Sequence, residues 1–565
     1  MARTREATAN GAASRYLRTA YPVMAWLAVC YALTLGILNI SQALGSRLGA
    51  FASGVEHHLH LATWQGPAAL PVILGAFMLF LAYEMWLRKR AALFVFCGFL
   101  IAQAAADMSR GMTQRAGVVT VCLAVALLLA APRFPARPDP RSYRRFKAAL
   151  PVFCAVFFGY GVLGLYLLRF QVGLRDHGVY ALAYRSVAVT VGETGVAMHG
   201  WAMAFRVSLT AVAVIGFASL LGMLFRPYRD SDRAEGERLG RARELVRRHG
   251  SDSLAYFNLR HDKSLFFLGE EAFLAYRVVG DVAVMSGDPV GPEALLPELL
   301  ARFREYCLAR GWRMGGIGAN GNLAGLYESA GLKAFPLGEE AVVHLQRFSL
   351  EGRAMRKLRQ SVNKMGRMGY TMEFMFNAGI PAHVRRELTR ISSDWRGGRD
   401  ETGFSMGLGR LLAPEDPDCL LSLAYDGDMN PVGFLYLVPM YPGLGYSLDI
   451  HRYMPGTPGS LNEFMIARTA LFLKSKGYGE LSLHFLALSQ HYREDSPLEP
   501  SRLWAFAAGK LDRIFPIVSS YRFDRKFLPG YTPRVLLHQS AADLLLVAFS
   551  VMFAESAMQL KRGQT

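Results

Sequence analysis

PVGFLYLVPMYPGLGYSLDIHRYMPGTPGSLNEFMIARTALFLKSKGYGELSLHF, residues 431–485, reads as strand, strand, helix, strand. Two short apolar runs, 432–438 and 445–450, are parted by Tyr441-Pro442-Gly443, the punctuation of a hairpin or meander. Leu461, Phe464, Met465, Ala467 and Leu471 then recur at helical spacing until Gly477 halts the run, ahead of a last strand at 480–485. Ionisable groups interrupt this apolar pattern at its ends. Asp449 and Arg452 close an otherwise apolar strand, and Asn462 and Glu463 open the helix, so charge gathers where strand ends meet a helix N-terminus. Spacing alone leaves two readings open, a structural ion pair capping a strand and a functional site.

The same grammar occurs earlier in the chain. Strands at 265–268, 272–279 and 282–286, a helix at 292–309 and a strand at 313–317 match strands at 420–425, 432–438 and 446–450, a helix at 460–476 and a strand at 481–485. Gly311-Trp312 and Gly477-Tyr478 punctuate equivalent places, so the pattern predicts two mixed α/β units in tandem. Between them, residues 350–369 carry Arg353, Arg356, Lys357, Arg359, Lys364 and Arg367, with no balancing acid after Glu351. At helical spacing Arg353, Arg356, Lys364 and Arg367 share much of one side, and Met355, Leu358 and Val362 turn elsewhere. Such a basic helix suits a polyanion, either RNA phosphate or lipid headgroup. RNA is preferred here, because a second basic segment already stands beside the expected membrane.

That membrane is expected from the first 226 residues, where the long apolar runs of this 565-residue chain are confined. Six spans are read, at about 21–44, 67–87, 91–106, 116–131, 148–168 and 207–225. The first run is too long for a signal-peptide core and is expected to remain as a helix. Arginine and lysine crowd the N-terminus and the exits of the even-numbered spans, which places the N-terminus and everything after span six in the cytoplasm. Arg226, Arg229, Arg233, Arg238, Arg241, Arg243, Arg247 and Arg248 follow, and a juxtamembrane cluster of this kind gains about 1 kcal/mol per cation from anionic lipid. The chain's formal net charge is +18. Its six cysteines show no CxxC pairing, so neither a disulfide framework nor a zinc site is indicated. His57, His58 and His60 beside Glu56 read as a polar interfacial loop rather than a metal site.

The runs SLDIHR and PGSLNEF, with DWRGGRDETGFSMGLGRL (394–411) upstream, resemble the cytosolic domain of the multiple peptide resistance factor family, the phosphatidylglycerol lysyltransferases. SGDPVGP (286–292), GEEAVV (338–343), FSLEGRAMRKLRQSVNKMGRMGY (348–370) and YRFDRKFLPGYTPR (521–534) are similar to that family in order and spacing, so roughly 300 residues are covered. The resemblance implies two tandem GNAT-type acyltransferase folds sharing a tunnel, behind an α-helical membrane domain. It implies transfer of an aminoacyl group from aminoacyl-tRNA to a hydroxyl of phosphatidylglycerol, an ester exchange that needs no ATP, metal or redox cofactor. The enzyme would mainly bring two large substrates together.

Carried onto this chain, the family motif puts Asp449 and Arg452 at the aminoacyl end of the tRNA, the carboxylate on the ammonium and the guanidinium on a phosphate or the developing oxyanion. Glu463 would add an amine contact or act as a base, beside Asn462. Arg396, Arg399 and Asp400, in the matched WRGGRDETGFSMG stretch, and Lys526 are substrate-binding candidates. Arg353, Arg356, Lys357, Lys364 and Arg367 are the tRNA-binding candidates.

The expected layout is a transmembrane domain at 1–226, a basic linker at 227–250, a first GNAT-like unit at 251–348, a linker helix at 349–369, a second and catalytic unit at 370–540 and a C-terminal helix at 541–565. The expected location is the inner (plasma) membrane, multi-pass, with the catalytic domain cytoplasmic. The expected partners are aminoacyl-tRNA, phosphatidylglycerol with other anionic lipid, and a second copy in a homodimer.

Two other classes compete. A membrane-bound acyltransferase using acyl-CoA is the weaker reading, since Gly315-Gly316-Ile317-Gly318 falls in strand context and not in a turn opening a helix. A flippase without synthase activity would need ionisable groups within the spans, where only Glu84 and Asp107 qualify, both near ends. The family's flipping region is often much larger, and six spans match only its latter part.

Overall fold

The computed structural model describes residues 26–41, 69–109, 114–172, 178–191, 200–226, 228, 236–397, 404–441, 443–487 and 517–555. The chain forms two compact units, Met1–Arg229 with Leu308–Trp312, and Asp230–Cys307 with Arg313–Thr565.

In the first unit, apolar helices stand at each place read as a span: α1 (Trp26–Ser41), α2 (Ala69–Trp86), α3 (Arg90–Ser109), α4 (Gln114–Leu129), α5 (Pro140–Leu167) and α7 (Trp201–Leu224), with α6 (Val179–Val191) between the last two. Among the described residues α5 and α7 are long and apolar enough to cross a membrane. Asp139 caps α5 by accepting a hydrogen bond from the Ser142 backbone N–H at 2.8 Å, and Pro140 fills the first helical position, where no N–H is needed. On α5 and α7 Leu163, Leu167, Val207 and Ile215 remain exposed, as suits side chains facing lipid. Glu84 is buried near the end of α2 and pairs with Lys89 at 2.7 Å.

The second unit is built on one eleven-stranded sheet in the order β1-β2-β3-β4-β11-β5-β10-β9-β8-β7-β6. The first repeat supplies β1 (Ser264–Leu268), β2 (Ala272–Val279), β3 (Val282–Ser286), β4 (Arg313–Asn320) and, after the short helix α10 (Ala324–Ser329), β5 (Lys333–His344). The second supplies β6 (Thr371–Phe376), β7 (Leu420–Tyr425), β8 (Pro431–Met440), β9 (Gly445–Tyr453), β10 (Glu480–Ala487) and β11 (Gly530–His538). Among the described strands of this sheet only β3 with β4 and β9 with β10 pair in parallel, and each of those pairs is bridged by a helix, α9 (Leu296–Arg310) and α13 (Leu461–Ser475). Both repeats thus use the helical crossover that a parallel pair requires. The repeats exchange strands at the centre: β11 lies between β4 and β5, and β5 pairs in turn with β10.

Strand alternation divides the core of this unit. Phe434, Tyr436, Val438 and Ile450 face one layer, with α8 (Glu237–His249) and α12 (Ala382–Arg396). Leu435, Leu437, Tyr446 and Leu481 face the other, with α11 (Arg356–Arg367), α13 and α14 (Ile517–Asp524). α15 (Ala541–Ala554) lays Val547 and Val551 on Val282, Val284 and Leu536.

Candidate active site in the wedge between β9 and β10

β9 and β10 pair only from Gly445 to Ser447 against Glu480 to Ser482, and beyond Ser447 each strand continues without the other. A wedge therefore opens in the middle of a continuous sheet, and backbone groups on its inner edges leave the ladder. Within β9 the pairing with β8 slips, since Ile450 opposes Tyr436 while Leu448 opposes Leu437, which leaves Asp449 as the extra residue of a β-bulge. Bulges re-aim side chains. Asp449 is half-buried, and its Oδ1 accepts a hydrogen bond from the Leu408 backbone N–H at 3.0 Å.

After the bulge, period-two alternation sends neighbouring side chains to opposite faces. Arg452, opposite Phe434, lies on the α12 side, where its guanidinium stacks 4.0 Å from the Trp395 ring. Arg396 is next to it in sequence and turns its Nε to the Ser392 carbonyl at 3.3 Å. α12 then ends at Gly397, whose φ of +55° is the left-handed cap that glycine adopts without strain. Arg399 and Asp400 lie outside the described residues, as do His57, His58 and His60.

His451, opposite Leu435, lies on the α13 side, and its Nε2 is 2.9 Å from Asn462 Oδ1 in the first turn of that helix. Glu463 is buried and accepts a hydrogen bond from Lys526 Nζ at 2.7 Å. Next along the same edge, His484 Nε2 on β10 is 3.1 Å from Oδ2 of Asp524, which is fully buried. Burial pushes the Asp524 carboxyl up to about 8, and burial with the neighbouring His451 pushes the His484 imidazole down to about 4. His451 is lowered too, by burial and then by Arg452, against the hydrogen bond it makes to Asn462 Oδ1.

The expected site residues thus form two groups around one wedge. Asp449, Arg452 and Arg396 stand on the α12 side, and Asn462, Glu463 and Lys526 at the start of α13. The tRNA-binding candidates stand apart from both. Arg353 precedes α11, and Arg356, Lys357, Lys364 and Arg367 are exposed along it, above a buried face of Leu358, Val362 and Met365. Arg359 turns inward instead, donating to the Leu350 and Gly352 carbonyls at 2.5 and 3.1 Å. Among the described residues no group of three or more His, Cys, Asp or Glu is arranged for a metal ion.

Sequence reasoning passed over His451, His484 and Asp524, and also a buried ionic network at the centre of the sheet. Arg534 of β11 donates from Nε to Glu340 Oε2 at 2.9 Å and from NH2 to Asp252 Oδ1 at 2.8 Å and Ser253 Oγ at 2.7 Å. Glu340 also accepts from Ser253 Oγ at 2.8 Å and from Ser482 of β10. Asp288 completes the network, accepting from Tyr327 at 2.5 Å and from the Asn320 N–H at 2.9 Å. Burial and the nearby Asp252 push its carboxyl up to about 7, while Arg534 pulls the other way. The signal was present in SGDPVGP, GEEAVV and YTPR, three separated motifs that each carry one member.

The family described as phosphatidylglycerol lysyltransferase, C-terminal, matches residues 243–538. The chain belongs to that family. It is 31% identical over 501 residues to the lysylphosphatidylglycerol biosynthesis bifunctional protein LysX of Mycolicibacterium vanbaalenii, covering 85% of this chain and 45% of that protein. The LysX protein of Mycobacterium marinum is 34% identical over 343 residues, 60% of this chain and 31% of that one. The chain therefore spans less than half the length of these curated relatives. The solved structure of L-PGS from Bacillus licheniformis superposes with a TM-score of 0.50 at 22% identity, covering 58% of this chain and 99% of that one, which establishes the fold of the second unit.

Proposed function

We propose that this family member transfers an aminoacyl group from aminoacyl-tRNA to the headgroup hydroxyl of phosphatidylglycerol, yielding a less anionic or cationic membrane lipid. The observation that carries the reading is the wedge itself. A carboxylate and a guanidinium, Asp449 and Arg452, stand on one side of it, and a buried carboxylate–ammonium pair, Glu463 and Lys526, on the other. Lysine is the first candidate for the transferred residue, as the relatives are named for lysylphosphatidylglycerol.

In the reaction the lipid hydroxyl attacks the carbonyl carbon of the aminoacyl ester, and the terminal ribose oxygen leaves with a proton. Asp449 neutralises the α-ammonium, and Arg452, held flat on Trp395, presents its fork to phosphate or to the developing oxyanion. Glu463 takes the hydroxyl proton or holds a second amine, with Lys526 fixing which carboxylate oxygen stays available. Because one ester is exchanged for another, positioning two substrates carries most of the catalysis. Six spans in the inner membrane, with both termini cytoplasmic, would keep the second unit on the cytoplasmic side, and the basic residues of α11 would receive the tRNA.

Mass spectrometry of lipids from cells expressing the chain tests this, with transfer by the purified protein as its companion. Aminoacyl-phosphatidylglycerol should appear, and ribonuclease should abolish its formation in vitro. Ribonuclease-resistant transfer from acyl-CoA, or lipids identical to those of control cells, would overturn the reading.

A further inference from the structure

α11 and α13 pack side by side, and between them, at the β6 edge of the sheet, lies a groove of about 830 Å³. Arg367 stands on the α11 wall and Arg468 on the α13 wall, with Gln360, Asn363, Tyr370 and Thr371 also lining it. Among the described residues no carboxylate lines the groove. Arg468 is exposed in a stretch of α13 whose other residues, 461–470, are buried or half-buried. Neither guanidinium has a hydrogen-bond or ion-pair partner among the described residues. Two planar cations lining one polar cleft suit an anion with several oxygens, such as a phosphodiester.

We infer that this groove binds the single-stranded 3′ end of an RNA, an inference that rests on aminoacyl-tRNA being the acyl donor. Its volume falls within the range of about 300–1,000 Å³ that holds one compact ligand, enough for a short strand and far too little for a duplex. Tyr370 supplies the aromatic surface that sequence-independent single-strand sites use for stacking. Direction follows from α13. Arg468 and Phe464 both line the groove one helical turn apart, about 6 Å along the axis, and Phe464 adjoins Glu463, which pairs with Lys526 at the wedge. A strand laid from Arg468 towards Phe464 therefore carries its terminus to the candidate site, while Arg356, Lys357 and Lys364 lie outside for the stem that follows.

The test uses the full chain in detergent, a 5′-labelled RNA tetranucleotide ACCA and a blunt RNA duplex, each titrated against salt. Arg468→Gln and Arg367→Gln should each lower the tetranucleotide's log–log salt slope by about 0.7, the single-strand value per lost phosphate contact. Arg468→Lys should restore the slope, and duplex binding should not respond to Arg468→Gln. An unchanged tetranucleotide slope in both glutamine variants overturns the inference, as does loss of binding to phosphatidylglycerol vesicles in place of RNA. Failure here is separable from failure of the proposed reaction. A chain that makes aminoacyl lipid but whose tetranucleotide binding ignores both variants loses only the groove, and one that makes none while both variants weaken binding keeps it.

Discussion

Arg534 and Glu340, 194 residues apart in sequence, meet at 2.9 Å in the centre of the sheet, both essentially excluded from water. One guanidinium there answers three carboxylates, Asp252, Asp288 and Glu340. Arg534→Met would leave those acids facing one another without a cation, and breaking a buried pair in this way costs about 3–5 kcal/mol. Chemical unfolding in a fixed detergent should register a loss of that size. A loss below about 1 kcal/mol would mean that water or a rearranged partner replaces the guanidinium.

Asp449 and Arg452 are the residues on which the proposed chemistry depends. Asp449→Asn keeps the shape and the acceptor for the Leu408 N–H but removes the charge that would hold the substrate ammonium. Aminoacyl-lipid formation at saturating charged tRNA should fall at least about 100-fold, the scale of one lost electrostatic contact at a reacting centre. Arg452→Lys retains charge but loses the stack on Trp395 and the planar fork, and transfer should fall again. Unaltered transfer in both variants would remove these residues from the mechanism, and parallel losses of activity and thermal stability would make them a strand-capping pair.

His484 and Asp524 give the fold a pH dependence whose sign can be worked out. The folded pair holds one proton between about 4 and about 8, whichever of the two carries it. Unfolded, with ordinary values of 3.8 and 6.5, the pair also holds one proton up to 6.5 and then none. The pair therefore contributes no slope from pH 4 to 6.5, and from 6.5 to 8 the folded state binds the extra proton, so stability falls as pH rises. Asp524→Asn imitates the protonated carboxyl and should flatten the decline in melting temperature between pH 6.5 and 8. An equally steep decline in that variant would locate the proton elsewhere.

The exposed cations around α11 predict a salt effect on whole tRNA. Replacing Arg353, Arg356, Lys364 and Arg367 with glutamine should weaken binding and reduce the log–log salt slope by roughly one unit per lost contact. Their side chains are exposed, so melting temperature should stay unchanged. An unchanged slope accompanied by lost vesicle binding would assign the helix to the membrane surface.

Much of the second unit was legible because its elements obey local rules. The apolar runs at 432–438 and 445–450 and the spaced Leu461, Phe464 and Met465 became β8, β9 and α13. The strand exchange was not legible, since nothing local distinguishes a β11 that completes its own repeat from one that inserts beside β4. Asp449 and Arg452 stood out as charges in an apolar strand, whereas the bulge at Asp449 depends on the register with β8, which is a tertiary property. Asp524 and His484 looked like ordinary polar residues, and only their burial together gives them unusual proton affinities. In the first unit, hydropathy located apolar helices without fixing how many cross a bilayer.

The insertion of β11 between β4 and β5 also has a consequence for biosynthesis. When β5 emerges from the ribosome, neither of its partners, β10 and β11, yet exists, and at about 5–20 residues per second the wait for Arg534 to follow Glu340 is about 10–40 s. During that interval β4 and β5 both present unsatisfied edges, the surfaces most prone to pairing with other chains. The nascent sheet must be sheltered until its last strand arrives, and any message truncated ahead of residue 530 should yield a product that cells aggregate or degrade rather than a working half-enzyme.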